Sequence, residues 1–224
     1  NYDTNKTEKL LVNNFDWELD RSNNFIDSKF LTSFKNVNYD IKNVENYKTD
    51  TTNEFFGSIG YQASVDFFKK IAESSHILTP KFLLKYSPNH MRKENEDLNL
   101  NEANIFSLNR VNSNDNFESG TSVALGLDYE KISEMNRLNF SIAQIINEKD
   151  RNKNMPDESS LDKRFSDIVG SVKYEKNKNL NFDYNFLIDQ NLKETNFNEI
   201  LTSYDTNNIK FNFNYLEDNR RNVA

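Results

Sequence analysis

The chain has 224 residues, 36% of them hydrophobic, and a formal net charge of −7. Excess acid with scattered Lys and Arg argues against a nucleic-acid footprint, the lack of cysteine excludes disulfides and thiolate metal sites, and no apolar run nears the ~18 residues of a membrane-spanning helix. A mean hydropathy of −0.85 would suit disorder, but 18 Phe and 10 Tyr do not, so aromatic-rich strands joined by polar loops are expected.

In chain order, Phe15, Trp17 and Leu19 alternate with Asp16, Glu18 and Asp20, and Val37, Tyr39 and Ile41 alternate with Asn38, Asp40 and Lys42. Over 54–68, Phe55, Gly57, Ile59, Tyr61, Ala63, Val65 and Phe67 hold alternate positions in what reads as one long strand. A two-residue period marks a strand with one apolar and one polar face. Leu78, Phe82, Leu84 and Tyr86 follow, then Val123, Leu125, Leu127 and Tyr129, then Leu138, Phe140, Ile142 and Ile146. The last runs are Ile168 to Tyr174, Leu180 to Ile188, and Ile209 to Tyr215, with weaker ones near 104–109 and 199–206. Roughly eleven strands of ~9–13 residues result, the length a tilted strand needs to cross a bilayer, against ~5–6 in soluble sheets.

Connections alternate in length. Glu175–Asn179 and Thr206–Asn208 read as tight turns, Ser87–Glu102 and Asn147–Arg164 as long polar loops. Short turns at one end and long loops at the other are the outer-membrane barrel habit. Tyr86, Tyr129, Tyr174 and Tyr215 stand near strand ends, where an interfacial aromatic girdle would sit. A soluble β-sandwich shares the alternation, but the long strands and sparse Gly and Pro favour a barrel. The expected class is all-β: one antiparallel transmembrane β-barrel segment over 1–224, with no second domain. The chain opens on Asn1 and reads as a piece of a longer protein.

Chemistry is thin. His76 and His90 are the two histidines; the first reads as a strand-end or loop residue and the second as a solvent-exposed loop residue, and neither has the partners of a nucleophilic triad. Glu94-Asn95-Glu96-Asp97 is the densest acidic cluster, but it lacks the ligand spacing and glycine of a calcium loop, so a solvated loop is expected. The basic residues of 148–153 are weak candidates for lipid phosphates. Arg110 is placed to form a charge-assisted link with Asp115 or Glu118, pinning a loop over the barrel rim. No catalytic residue, metal or cofactor is expected.

Asn104-Ile105-Phe106-Ser107-Leu108-Asn109-Arg110, then Asp115, Glu118 and Gly120, then Gly126-Leu127-Asp128-Tyr129, resembles the barrel region of the LPS-assembly protein LptD family (organic solvent tolerance proteins). In the family's order come Leu78-Thr79-Pro80-Lys81 and Tyr86-Ser87-Pro88 upstream, and downstream Ile142-Ala143-Gln144, Ser160-Leu161 and Ser166-Asp167-Ile168-Val169-Gly170. Ser113 and Ala143 stand where the family usually has Gly, and the cysteines many members carry are absent. The resemblance is clear over about 76–190.

The resemblance implies a barrel-wall segment of the outer-membrane translocon that inserts lipopolysaccharide into the outer leaflet. It implies as partners an LptE-like lipoprotein plug, outer-membrane lipids and an LptA-like periplasmic bridge reached through a domain outside the segment. Gln62, Ser64, Asp66, Asn181, Asp183 and Asn185 would face the lumen or the plug. Asn109, Arg110, Asp115, Glu118, Gly120, Ser166, Asp167 and Gly170 would be structural. A passive porin is the alternative within the membrane.

Overall fold

A computed structural model describes residues 7–42, 50–88, 90–94, 98, 100–156, 159–177, 179–206 and 208–220. The strands are β1 (Thr7–Asp20), β2 (Asp27–Lys42), β3 (Asp50–Ser64), β4 (Phe67–Ile71), β5 (Ser74–Ser87), β6 (Gly120–Ile132), β7 (Asn136–Asn147), β8 (Ile168–Lys176), β9 (Leu180–Ile188), β10 (Thr195–Asp205) and β11 (Lys210–Asp218). All join one antiparallel sheet in the order β1-β2-β3-β5-β6-β7-β8-β9-β10-β11, with β4 paired to β5 beside β3. Among the described residues neither β1 nor β11 has a second neighbour and no second sheet faces this one.

Two expectations about strands are corrected. The run 54–68 is two strands, broken at Val65–Asp66. The Val65 N–H donates to the Pro80 carbonyl at 3.2 Å, and Pro80 has no N–H to return the bond, so the ladder fails there. Residues 104–109 form turns rather than a strand, for reasons given below.

Because directly paired residues point to one side of a sheet, the register sorts the side chains. One face carries Phe15 and Phe34, Phe30 and Tyr61, Phe82 and Leu125, Tyr129 and Phe140, Tyr184 and Ile200, and Thr202 and Phe213. Many of these are open to the surroundings, Phe15 at 62%, Ile59 at 56% and Phe213 at 47%. A contiguous apolar face this wide is not left against water. The other face carries Gln62, Lys85 and Ser122, Asp128 and Ser141, and Asp183 and Lys173. That is the inverse of a soluble half-buried sheet.

The apolar band has the height of a bilayer core. β9 is 9 residues, Leu180–Ile188, about 26 Å along the strand and roughly 20 Å along the normal at a ~40° tilt, near the ~25 Å expected. All four strand-end tyrosines lie on this face in two rows: Tyr86 and Tyr215 toward one end, Tyr129 and Tyr174 toward the other. In the second row the Tyr174 hydroxyl donates to Asn136 at 3.3 Å, and the Tyr129 hydroxyl meets His76 Nδ1 at 2.8 Å. His76 is thus a strand-end residue, as expected. The β4–β5, β6–β7 and β8–β9 connections leave the sheet at this end, and the β5–β6 and β7–β8 connections at the other.

Candidate functional site: the polar face and its covering loops

The long connections fold back onto the polar face. Leu108 lies over Gly60, whose added Cβ would come within 2.5 Å of the Leu108 side chain, and Phe106 lies over Gly126 at 2.7 Å by the same measure. Glycine at these two strand positions makes the room. Ile105, Leu108, Val111, Met91, Met155 and Leu161 of the loops form one buried cluster with Leu31, Leu83, Ala124, Ile145, Val169 and Leu187 of the polar face. Each fully buried side chain of this kind contributes about 1.5–3 kcal/mol relative to exposure. This burial explains why 104–109 does not extend: its alternate apolar residues are needed on a surface, not in a ladder.

Glu118 is the electrostatic centre of the cover. Its carboxylate accepts from Arg110 Nε at 2.7 Å and Nη2 at 2.6 Å, from the Arg110 N–H at 3.2 Å, and from Arg151 Nη1 at 2.7 Å, and Lys85 Nζ is 3.0 Å away. The Asn109 side-chain oxygen takes the Glu118 N–H at 2.9 Å, and Arg110 Nη2 also reaches the Ser122 hydroxyl at 3.0 Å. Glu118 is fully buried. Burial alone would raise its carboxyl pKa, but Arg110, Lys85 and Arg151 together outweigh burial and hold it well below the usual carboxylate range. Loop, β5 and the 148–167 connection are bound through Glu118, and Arg110 adds β6 through Ser122. Taking such a cluster out of water costs desolvation, which its ion pairs and hydrogen bonds must offset.

Of the two acids weighed for Arg110, Glu118 takes it. Asp115 pairs instead with Arg92, Nη1 to Oδ2 at 2.7 Å, and Arg92 also pairs with Glu54 of β3. Arg151 is not poised for lipid phosphate, because it serves Glu118. Glu94 is not solvated either: it is 3% exposed and accepts from Ser113 and from Asn116 at 3.2 Å. Ser113 thereby supplies a hydroxyl that the family's glycine could not. Asn95, Glu96 and Asp97 lie outside the described residues. His90 is exposed, its ring 5.8 Å from that of Phe56.

Gln62, Ser64, Asn181, Asp183 and Asn185 stand on the polar face of β3 and β9. Asp66 sits in the β3–β4 break and accepts from the Thr79 hydroxyl at 2.5 Å. Ser166 accepts from the Ile145 N–H at 2.9 Å and donates to the Asp167 carbonyl at 2.7 Å, while Asp167 accepts from Asn196 at 2.7 Å. Gly120 has φ +95°, a left-handed backbone that glycine tolerates, with the Arg151 guanidinium over it. Gly170 is on the apolar face under the Phe186 ring.

Sequence reasoning missed Lys85, Arg92 and Glu102, and weighed Arg151 for lipid phosphate where it pairs with Glu118. Glu102 accepts from Ser171 and Lys173, each at 2.8 Å, and from Ser141 at 3.3 Å, tying the loop to β7 and β8. Burial alone would raise its pKa, and these bonds bring it below the ordinary value. A lysine at a polar-face strand position, Lys85, was the one readable signal. Beside Glu102 a cleft of about 620 Å³ opens along the polar face, lined by Lys173, Asp183, Asn185, Phe197, Glu199 and Arg220. No metal-binding group of His, Cys, Asp and Glu occurs among the described residues.

Residues 10–222 match the family model described as LptD: LPS transport system D. No curated protein matches the chain.

Proposed function

The chain belongs to the LptD family of LPS transport proteins, and from that premise we propose that it is a section of the outer-membrane barrel wall through which lipopolysaccharide reaches the outer leaflet. The family serves transport and outer-membrane biogenesis and is not an enzyme family. One observation supports the wall reading above others: a single sheet exposes its aromatic face and covers its polar one. Closed with further strands, such a sheet satisfies its backbone in lipid. The apolar face meets acyl chains, and the polar face lines a lumen in which the sugar portion of a glycolipid stays hydrated.

In this reading the long connections lie outside the cell and the short turns in the periplasm. Gln62, Ser64, Asn181, Asp183 and Asn185 line the lumen, with Asp66 at its margin. An LptE-like lipoprotein plug lies against the polar face that the loops leave open, near Lys173 and Glu199. A periplasmic LptA-like bridge delivers the glycolipid through a domain outside this segment. A porin would share the fold, but the family's role in LPS transport favours the translocon.

The test is photocrosslinking in intact cells from single positions of the full-length protein. Probes at Asp183 and Asn185 are expected to capture lipopolysaccharide or a lipoprotein, and a probe at Phe213 membrane lipid alone. Capture of lipopolysaccharide from Phe213 and never from the polar face would overturn the reading.

A further inference from the structure

The two faces exchange character part-way along β1–β3, with no break in register. Up to Phe15, Phe34 and Phe55 the outward residues are apolar apart from Ser28 and Thr32. Beyond them the outward residues are Asn13, Asn36, Asn38 and Asn53, while Val37, Tyr39 and Ile41 turn inward and are buried with Phe56 and Phe117. Since a bulge would be needed to carry one apolar set from face to face, the exchange reflects a change of surroundings. We infer that the hydrocarbon ends at this level, and that the outward amides of β2 and β3 form a docking surface for the saccharide headgroups of glycolipids around the barrel. This rests on the membrane and lipopolysaccharide reading above, but concerns the lipid outside the wall and not the cargo within it.

Three amides form a closed ring. Asn36 Nδ2 donates to Asn53 Oδ1 at 3.2 Å, Asn53 Nδ2 to Asn38 Oδ1 at 2.5 Å, and Asn38 Nδ2 to Asn36 Oδ1 at 2.7 Å. The ring fixes the amides in place, so ordering them costs little when a ligand arrives. The second N–H of Asn38 and of Asn53 remains to donate, and each carbonyl keeps a lone pair. Donors and acceptors in alternation suit sugar hydroxyls.

Charge and height point the same way. Adhesion to phosphate headgroups uses Lys or Arg in excess, but among the described residues the outward charges here are Lys9, Asp40 and Lys42, Lys9 is paired with Asp40 at 3.8 Å, and the ring is neutral. Outward polar positions run from Asn36 to Lys42, about 20 Å along the strand and ~15 Å in height at the tilt of a barrel wall. A phospholipid headgroup layer of ~5–8 Å would leave much of that uncovered, whereas a saccharide layer stands taller. Leu11, opposite Asn38, is the exception in the polar run.

The test places a nitroxide at Asn13, outward and outside the ring, in the full-length protein. It is reconstituted in phospholipid alone, in phospholipid with lipid A lacking core sugars, and with lipopolysaccharide carrying them. Access to a water-soluble relaxation agent is expected to be high in the first two and several-fold lower in the third, and the N38A/N53A variant should lose that protection. Equal protection by lipid A, no protection in any membrane, or protection unchanged in N38A/N53A would overturn the docking surface. Preferential access to oxygen in plain phospholipid would overturn the boundary. A second label at Phe213 that reports water instead of hydrocarbon would reject the membrane reading itself.

Discussion

Arg110 and Glu118 meet in a two-pronged pair, Nε to Oε2 at 2.7 Å and Nη2 to Oε1 at 2.6 Å, both side chains out of solvent. Eight residues apart in a loop without regular structure, they close that loop on itself before Lys85 and Arg151 fasten it to the sheet. Glu118→Gln keeps the shape and removes the charge, leaving three cations together with no counter-charge. Breaking a buried pair in this way costs about 3–5 kcal/mol. Urea unfolding of the reconstituted protein should show that loss, and Arg110→Lys, which lacks the fork, a smaller one.

The same carboxylate sets an acid limit. Its folded pKa lies below the ordinary 4.5, so its stabilisation is present above about pH 4.5 and fades as pH falls toward the folded value. Glu102 shifts in the same direction. Asp167 shifts the other way: burial raises its carboxyl, with Asn196 opposing, so its share is largest below its ordinary 3.8 and is lost as pH rises through the raised value. The hydrogen-exchange protection factors of residues 105–118, taken relative to the intrinsic exchange rate at each pH, are expected to fall between pH 5 and pH 3 while those of β6 are kept. In Glu118→Gln that acid dependence should be largely gone.

The alternation at Phe55, Ile59 and Tyr61, or at Leu180 to Ile188, is local, and it was enough to identify strands and their faces. Val37, Tyr39 and Ile41 show where periodicity stops being informative. They alternate as clearly as Phe15, Trp17 and Leu19, yet face the opposite side, because a period of two says that a strand has two faces and not which solvent each one meets. Leu83 and Ile145 were hidden for a related reason: Leu83 stands between Phe82 and Leu84 and Ile145 beside Ile146, so local pattern does not single them out as the residues that a loop covers. The Asn109–Arg110–Glu118 motif was visible as chemistry. Lys85 and Arg151 were not, since nothing local records a partner 33 residues away. The break at Val65–Asp66 needed Pro80 to be known as the neighbour across the ladder.

On the apolar face, Gly170 and Phe186 are a directly paired couple in which the ring lies over the missing side chain; a Cβ there would stand 2.0 Å from Phe186 Cζ. Gly57 and Phe34 repeat the device, and an aromatic ring laid across a strand glycine shields a backbone that would otherwise be open. Gly170→Ala should displace the ring and cost about 1–3 kcal/mol, the usual range for overpacking. Adding Phe186→Ala should cost less in the Gly170→Ala background than alone. Additive costs in that double-mutant cycle would show that the two residues do not interact.

Phe213 and Asp183 sit on opposite faces near the middle of their strands, and arginine at each separates a membrane wall from any soluble sheet. At Phe213 the guanidinium would enter acyl chains, a cost of about 2–4 kcal/mol at mid-bilayer. At Asp183 it would stand beside Lys173 on the polar face, where water or a hydrated lumen screens it, and folding should change little. Folding into lipid vesicles, read by tyrosine fluorescence and by the gel shift between heated and unheated samples, reports both. Phe213→Arg should fold poorly in vesicles and recover in part in thin bilayers, whose hydrocarbon lets the side chain reach the interface. Equal tolerance at the two positions would mean that the aromatic face touches something other than lipid.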